Sequence, residues 1–138
     1  MLKNLLREKG INMKILVFGN PLEEKDSLAL KIVPRLRKEF PQAEFKEFDP
    51  TENLEAEIKD GKLRILDVVQ GINQVMVIKD IEQLKQDKIY SMHDFDLGFN
   101  LKLLKKIGKL KEVEIIGVPQ EMREKEVFEE VRKTLSKF

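Results

Sequence analysis

Residues 14–21 have the sequence KILVFGNP, a short apolar run that stops at a Gly-Asn-Pro turn. A run of this length and ending is typical of a buried β-strand. Apolar residues at helical spacing follow, and Asp26 or Ser27 is placed to cap the first turn of the predicted helix. These apolar residues are Leu28, Leu30, Ile32, Val33, Leu36 and Phe40. Pro34 lies within the pattern, so we expect it to kink the helix or to end it early.

Further apolar segments predict the remaining strands and helices of an α/β fold. Strands are expected over 45–48, 63–69, 74–78 and 112–118, and helices over 54–63, 97–107 and 127–135. The alternation of strands and helices predicts three layers, α/β/α, around a mostly parallel or mixed five-stranded sheet. This single domain is expected to span residues 13–138, with residues 1–12 as an N-terminal extension.

The composition argues against several classes of function. The 138 residues include 26 basic and 25 acidic side chains, so there is no basic excess for binding a nucleic acid. Cysteine is absent, and any metal must therefore be held by oxygen and imidazole ligands. We find neither a signal-peptide apolar region nor a segment of membrane-spanning length, and we expect a cytoplasmic protein. Dense Lys and Glu without Cys or Trp is typical of a thermophile.

Polar residues fall at the expected carboxyl ends of the strands, where open α/β sheets bind their ligands. They are the loop 19–26, Asp49, Asp67 and the segment around His93. Alone, each has an ordinary structural explanation as a helix cap, a loop contact or a turn residue. Together, two carboxylates and one imidazole from separate loops at this edge would suit a divalent metal, nickel or zinc, with coordination positions left for another ligand.

Five short segments, in order along the chain, resemble the hydrogenase maturation protease family. They are KILVFGNPLEEKD (14–26), FD (48–49), ILD (65–67), SMH (91–93) and IIGVP (115–119). The resemblance implies a phosphorylase/hydrolase-like fold. It also implies that Asp26, Asp67 and His93 bind nickel carried by the substrate, and that Asp26 and Asp67 are the catalytic carboxylates of an aspartic-type endopeptidase. Asp49 and the Gly19-Asn20 turn would then contact the substrate.

The activity implied by this resemblance is removal of the C-terminal extension of a nickel-iron hydrogenase large-subunit precursor after nickel insertion. The expected partner is that precursor, without nucleic acid or membrane, and the expected state is a monomer or weak homodimer. The substrate would supply the nickel, for which zinc or cadmium could substitute in vitro.

Two alternatives follow from where the sequence departs from this family. Members of the family have Gly-Asp-Asp-Gly-x-Gly where this chain has EKDSLA (24–29), and Pro50 replaces a typical glycine. A non-catalytic α/β binding or scaffold module is therefore one alternative. A peptidyl-tRNA hydrolase, which also has a Gly-Asn-Pro turn, is the other. It fits less well, because Leu22 stands where that family has glycine and His93 is the only histidine.

Overall fold

The computed structural model describes residues 13–19, 22, 27–49, 52–80, 82, 90–91 and 97–138. The described strands are β1 (Lys14–Val17), β2 (Glu44–Glu47), β3 (Lys62–Gln70), β4 (Met76–Ile78), β5 (Tyr90–Ser91) and β6 (Glu112–Pro119). The described α-helices are α1 (Leu28–Glu39), α2 (Leu97–Lys106) and α3 (Glu124–Ser136), and a 3₁₀ helix spans Leu54–Glu57. None of the helices in these ranges is long and apolar enough to cross a membrane.

The main path of the sheet has five strands in the order β2-β1-β3-β6-β4. Strands β2, β1, β3 and β6 run parallel to one another, whereas β4 is antiparallel to β6. The predicted mixed five-stranded α/β fold is therefore confirmed. The sequence did not predict β5, a two-residue strand that pairs antiparallel with β3.

Helices cover both faces of the sheet, so that the central strands are buried on each side. Alternate residues of β1, β3 and β6 pack against α1 and α3 on one face, and the residues between them pack against α2 and the 3₁₀ helix on the other. In β3, Leu66 and Val68 belong to the first layer, and Ile65 and Val69 to the second. Burial on both faces explains why these strands are almost continuously apolar rather than alternating.

Helix α1 continues through Pro34 to Glu39, so the expected early end of the helix is wrong. Pro34 lies on the exposed side of α1, while Val33 and Leu36 on either side of it are buried. Packing of this apolar face offsets the backbone hydrogen bond that proline cannot make. Ser27 occupies the N-cap position, but its side chain makes no capping hydrogen bond.

Candidate functional site

The strand order reverses direction between β1 and β3. From β1 the chain passes through α1 to β2 on one side of β1, and it then returns to β3 on the other side. Helices that diverge from such a point leave a crevice at the carboxyl ends of the two strands, and open α/β sheets bind their ligands there. The reversal therefore marks the edge between β1 and β3 as the candidate site.

Asp67 lies at this reversal point. Val17, the last residue of β1, is paired with Leu66, and the N–H of Phe18 donates to the Leu66 carbonyl at 2.9 Å. Asp67 is thus the first residue of β3 beyond the end of β1. It is 0% exposed and lies on the same face of β3 as Ile65 and Val69, which belong to the α2-side core. A carboxylate is costly to bury among apolar groups unless charges or hydrogen-bond donors compensate it, and burial here points to a functional position.

Strand β5 borders the other side of this position. Ser91 pairs with Val69, and Tyr90 with Gln70. Because β6 accompanies β3 as far as Val69 on one side, β5 lies on the other side, in line with β1 and beyond its end. Asp67 therefore lies between the end of β1 and the short strand β5.

Gly117 is the neighbour of Asp67 in β6. A Cβ atom at this position would lie 3.0 Å from Cγ2 of Val69 and 3.2 Å from Cδ1 of Ile72. Contacts this short are tighter than nearly all in protein interiors, so an added Cβ atom would require Val69 and Ile72 to move by a few tenths of an ångström. Gly117 was not among the predicted site residues, although a glycine inside an apolar strand such as IIGVP often marks the close approach of another chain segment.

Gly19 and Asp49 lie at the same edge of the sheet as Asp67. The N–H of Phe48 donates to the carbonyl of Val17 at 2.9 Å, which aligns the ends of β2 and β1. The rings of Phe18 and Phe48 stack with centroids 5.0 Å apart. Gly19 follows one ring and Asp49 the other. Asp49 is exposed, and its backbone carbonyl accepts a hydrogen bond from the N–H of Glu52 at 2.8 Å.

The other predicted site residues, Asn20, Asp26 and His93, lie outside the described residues. Ser27, which directly follows Asp26, is only 4% exposed at the start of α1. Within the described ranges, no group of three His, Asp or Glu side chains could hold a metal ion. Two of the three predicted ligands fall outside those ranges, so the nickel site stays a prediction.

These features define a three-layer α/β domain with a buried carboxylate at the point where the order of its sheet reverses. The solved structure of the [NiFe] hydrogenase maturation protease HybD from Thermococcus kodakarensis is similar, with a TM-score of 0.67 over 92% of this chain and 98% of that one. The two sequences are 22% identical. No family model and no curated protein matches the sequence.

The likeness to HybD confirms the resemblance that the five sequence segments predicted, and at this identity it shows the fold alone. The activity has to be argued from the site.

Proposed function

We propose that this chain is an endopeptidase that removes the C-terminal extension of a nickel-iron hydrogenase large-subunit precursor after nickel has been inserted. The position of Asp67 carries the proposal, because its carboxylate is fully buried at the sheet reversal, between the end of β1 and β5. The likeness in fold to a protein named as a hydrogenase maturation protease supports it.

Burial of Asp67 gives a physical basis for sensing a metal carried by the substrate. Charges interact more strongly in a water-poor interior than in water, so a cation carried by the substrate would interact strongly with the buried carboxylate of Asp67. A precursor without nickel offers no such charge. The chain would therefore bind the loaded precursor more tightly than the empty one.

In this proposal, Asp26 and His93 complete the set of nickel ligands with Asp67. The chain connectivity supports this grouping. His93 follows Ser91 by two residues, which limits the separation of their Cα atoms to about 7 Å, and Ser91 pairs with Val69, two residues from Asp67. Asp26 directly precedes Ser27, the N-cap residue of α1.

The roles proposed for Asp67 and Asp49 differ because the first is buried and the second exposed. The substrate's nickel would polarise the scissile carbonyl or activate a water molecule, either of which lowers the barrier by several kcal/mol. The carboxylates of Asp26 and Asp67 would hold the metal and accept protons. Asp49 is exposed and two strands away from β3, roughly 10 Å at the usual strand spacing. In this proposal Asp49 binds the substrate tail, together with Gly19 and Asn20.

The proposal is tested with nickel-loaded and nickel-free large-subunit precursors, with the products weighed by mass spectrometry. We expect the wild type to shorten the loaded precursor alone, and Asp67→Asn to leave both intact. Asp60→Asn is a matched control at the opposite edge of the sheet. Asp60 has φ 54°, a conformation that asparagine also adopts readily.

A metal titration separates the protease from the non-catalytic alternative. The protease is expected to bind nickel or a surrogate, zinc or cadmium, and His93→Ala is expected to abolish that binding. A chain that binds no metal and leaves both precursors intact would instead be a binding or scaffold module of the same fold.

A further inference from the structure

Helix α2 exposes a row of large apolar side chains. Phe99 is 63% exposed, Leu103 47% and Ile107 55%. Their spacing of four residues places them in one row, about 12 Å long at the helical rise of 1.5 Å per residue. The N–H of Ile107 donates to the carbonyl of Leu103 at 3.0 Å, so the helical turn continues as far as Ile107. We name Phe99, Leu103 and Ile107 the α2 ridge.

The ridge is separate from the face by which α2 packs on the sheet. Leu101 is 0% exposed and Leu104 8%, and both belong to the core. Core packing therefore does not explain the apolar character of the ridge. Exposed apolar side chains gathered in a row, rather than scattered singly, are typical of a contact surface.

The segment that carries the ridge is strongly basic. Residues 97–111 contain five lysines and no acidic residue, whereas the whole chain has a formal net charge of only +1. Lys102 and Lys106 lie one helical turn apart along one flank of the ridge. Lys102 pairs with a carboxylate oxygen of Glu82 at 3.0 Å, which shows that this flank attracts acidic side chains. Because lysines border the apolar row, a partner for this surface has to combine apolar side chains with acidic ones.

The ridge begins at the edge of the sheet that carries the candidate site. The amides of Lys111 and Glu112 donate to the carbonyl of Gly61 at 2.7 and 3.0 Å, which places the turn after α2 at the amino ends of β3 and β6. Helix α2 therefore runs from the carboxyl edge, where Asp67 lies, to the amino edge. Phe99 is in its first turn, so a substrate that enters the crevice is well placed to extend along the ridge.

We propose that the α2 ridge, with Lys102 and Lys106, docks an acidic amphipathic segment on the folded body of the protein substrate, apart from the tail that is cut. This inference rests on the proposed function. It adds that the substrate is recognised at a second surface as well as at its metal.

Charge and shape favour this occupant over two others. A second copy bound symmetrically through the same face would bring lysines against lysines. A helix lying on a membrane inserts a broad apolar face, whereas the broad apolar face of α2 packs in the core and only a narrow row is exposed.

The test measures cleavage kinetics and binding of the nickel-loaded precursor, with two α2 variants. Leu103→Gln with Ile107→Gln removes the apolar contact, and Lys102→Glu with Lys106→Glu reverses the charge. We expect each pair to raise KM about tenfold or more with kcat unchanged, as for the loss of contacts at the centre of an interface. The charge-reversed pair is also expected to weaken or reverse the salt dependence of KM, because glutamates repel an acidic partner and salt screens that repulsion.

A control variant and the possible outcomes distinguish a failure of the docking inference from a failure of the proposed function. Lys125→Glu with Lys133→Glu, two exposed positions on α3, changes the net charge equally and is expected to leave KM unchanged. Cleavage with unchanged KM in both α2 variants would overturn the docking inference alone, whereas a wild type that neither binds nor cleaves the precursor would overturn the proposed function as well. If the α2 variants keep the precursor KM but lose binding to anionic phospholipid vesicles, the ridge is a membrane contact. If they keep the precursor KM but lose a homodimer that the wild type forms, the ridge binds a second copy of the chain.

Discussion

Replacement of Glu57 by glutamine is expected to destabilise the fold through the loss of one buried charge. Glu57 is 8% exposed in the 3₁₀ helix, and one carboxylate oxygen accepts from Nζ of Lys46 in β2 at 2.5 Å. The other oxygen pairs with Lys14 in β1. Burial by itself would raise the pKa of Glu57, but the hydrogen bonds from Lys14 and Lys46 outweigh it and hold the pKa below the ordinary value of 4.5.

The structure sets the size of this effect. A hydrogen bond to a charged group contributes about 1.5–3 kcal/mol, but the side chains of Lys14 and Lys46 are 30% and 39% exposed, so solvent screens both ion pairs. Glutamine also keeps one acceptor oxygen. We therefore expect Glu57→Gln to lower the free energy of unfolding by about 2 kcal/mol, which for a domain of this size lowers Tm by roughly 7 °C.

The assay is thermal unfolding followed by circular dichroism between pH 7 and pH 3. Because the folded-state pKa is depressed, Glu57 stabilises the fold above its unfolded pKa of about 4.5, and this contribution is lost as the pH falls through the lower folded-state value. The difference between wild type and Glu57→Gln should therefore be full at pH 7 and shrink below about pH 4.5. Glu55→Gln is the control. The Glu55 side chain is 47% exposed and its Oε1 lies 3.9 Å from Nζ of Lys109, so we expect little change in Tm when its charge is removed. Equal Tm values for wild type and Glu57→Gln at pH 7, or a difference that persists unchanged at pH 3, would refute the argument.

Three further substitutions test the packing around the site and in α1. Gly117→Ala forces a Cβ atom to within 3.0 Å of Val69, and we expect a loss of about 1–3 kcal/mol in chemical denaturation; undiminished stability would show that the site is not close-packed. Asp67→Asn keeps the size of this fully buried side chain but removes its carboxylate, so we expect abolished cleavage with little change in Tm, and a large fall in Tm would assign Asp67 a structural role. Pro34→Ala restores a backbone N–H donor on the exposed face of α1, although it also gives the unfolded chain more conformational entropy. We expect a net rise in the free energy of unfolding of about 1–2 kcal/mol, and a lower Tm would contradict the explanation given for α1.

The sequence predicted the elements whose apolar patterns are long enough to be read locally. The expected segments 63–69, 97–107 and 112–118 correspond to β3, α2 and β6 with ends shifted by one residue or less. The early end expected at Pro34 was wrong. The cost of a proline is local and visible in the sequence, whereas the tertiary packing of Val33 and Leu36 that outweighs this cost cannot be seen there.

Features that depend on distant pairing could not be predicted in this way. Strand β5 has two residues, too few to show a period, and it exists because β3 extends beyond the end of β1. Gly117 acquires its place beside Asp67 through a pairing of residues 50 positions apart. Asp67 itself was recognised from a carboxylate in an apolar run, but the sequence did not show that β1 ends level with it. The roles assigned to Asp26, Asp67 and His93 stay predictions.

The departure of residues 24–29 from the family pattern bears on the loop but not on the position of Asp67. That position is fixed by the pairing of β3 with β1 on one side and with β6 on the other, and no residue of the loop takes part in either pairing. The buried carboxylate and the sequence of residues 24–29 can therefore change independently. Under the proposed function, such a chain would keep Asp67 while its contacts to the tail diverge, and recognition of the precursor would then depend more on surfaces outside the crevice, such as the α2 ridge.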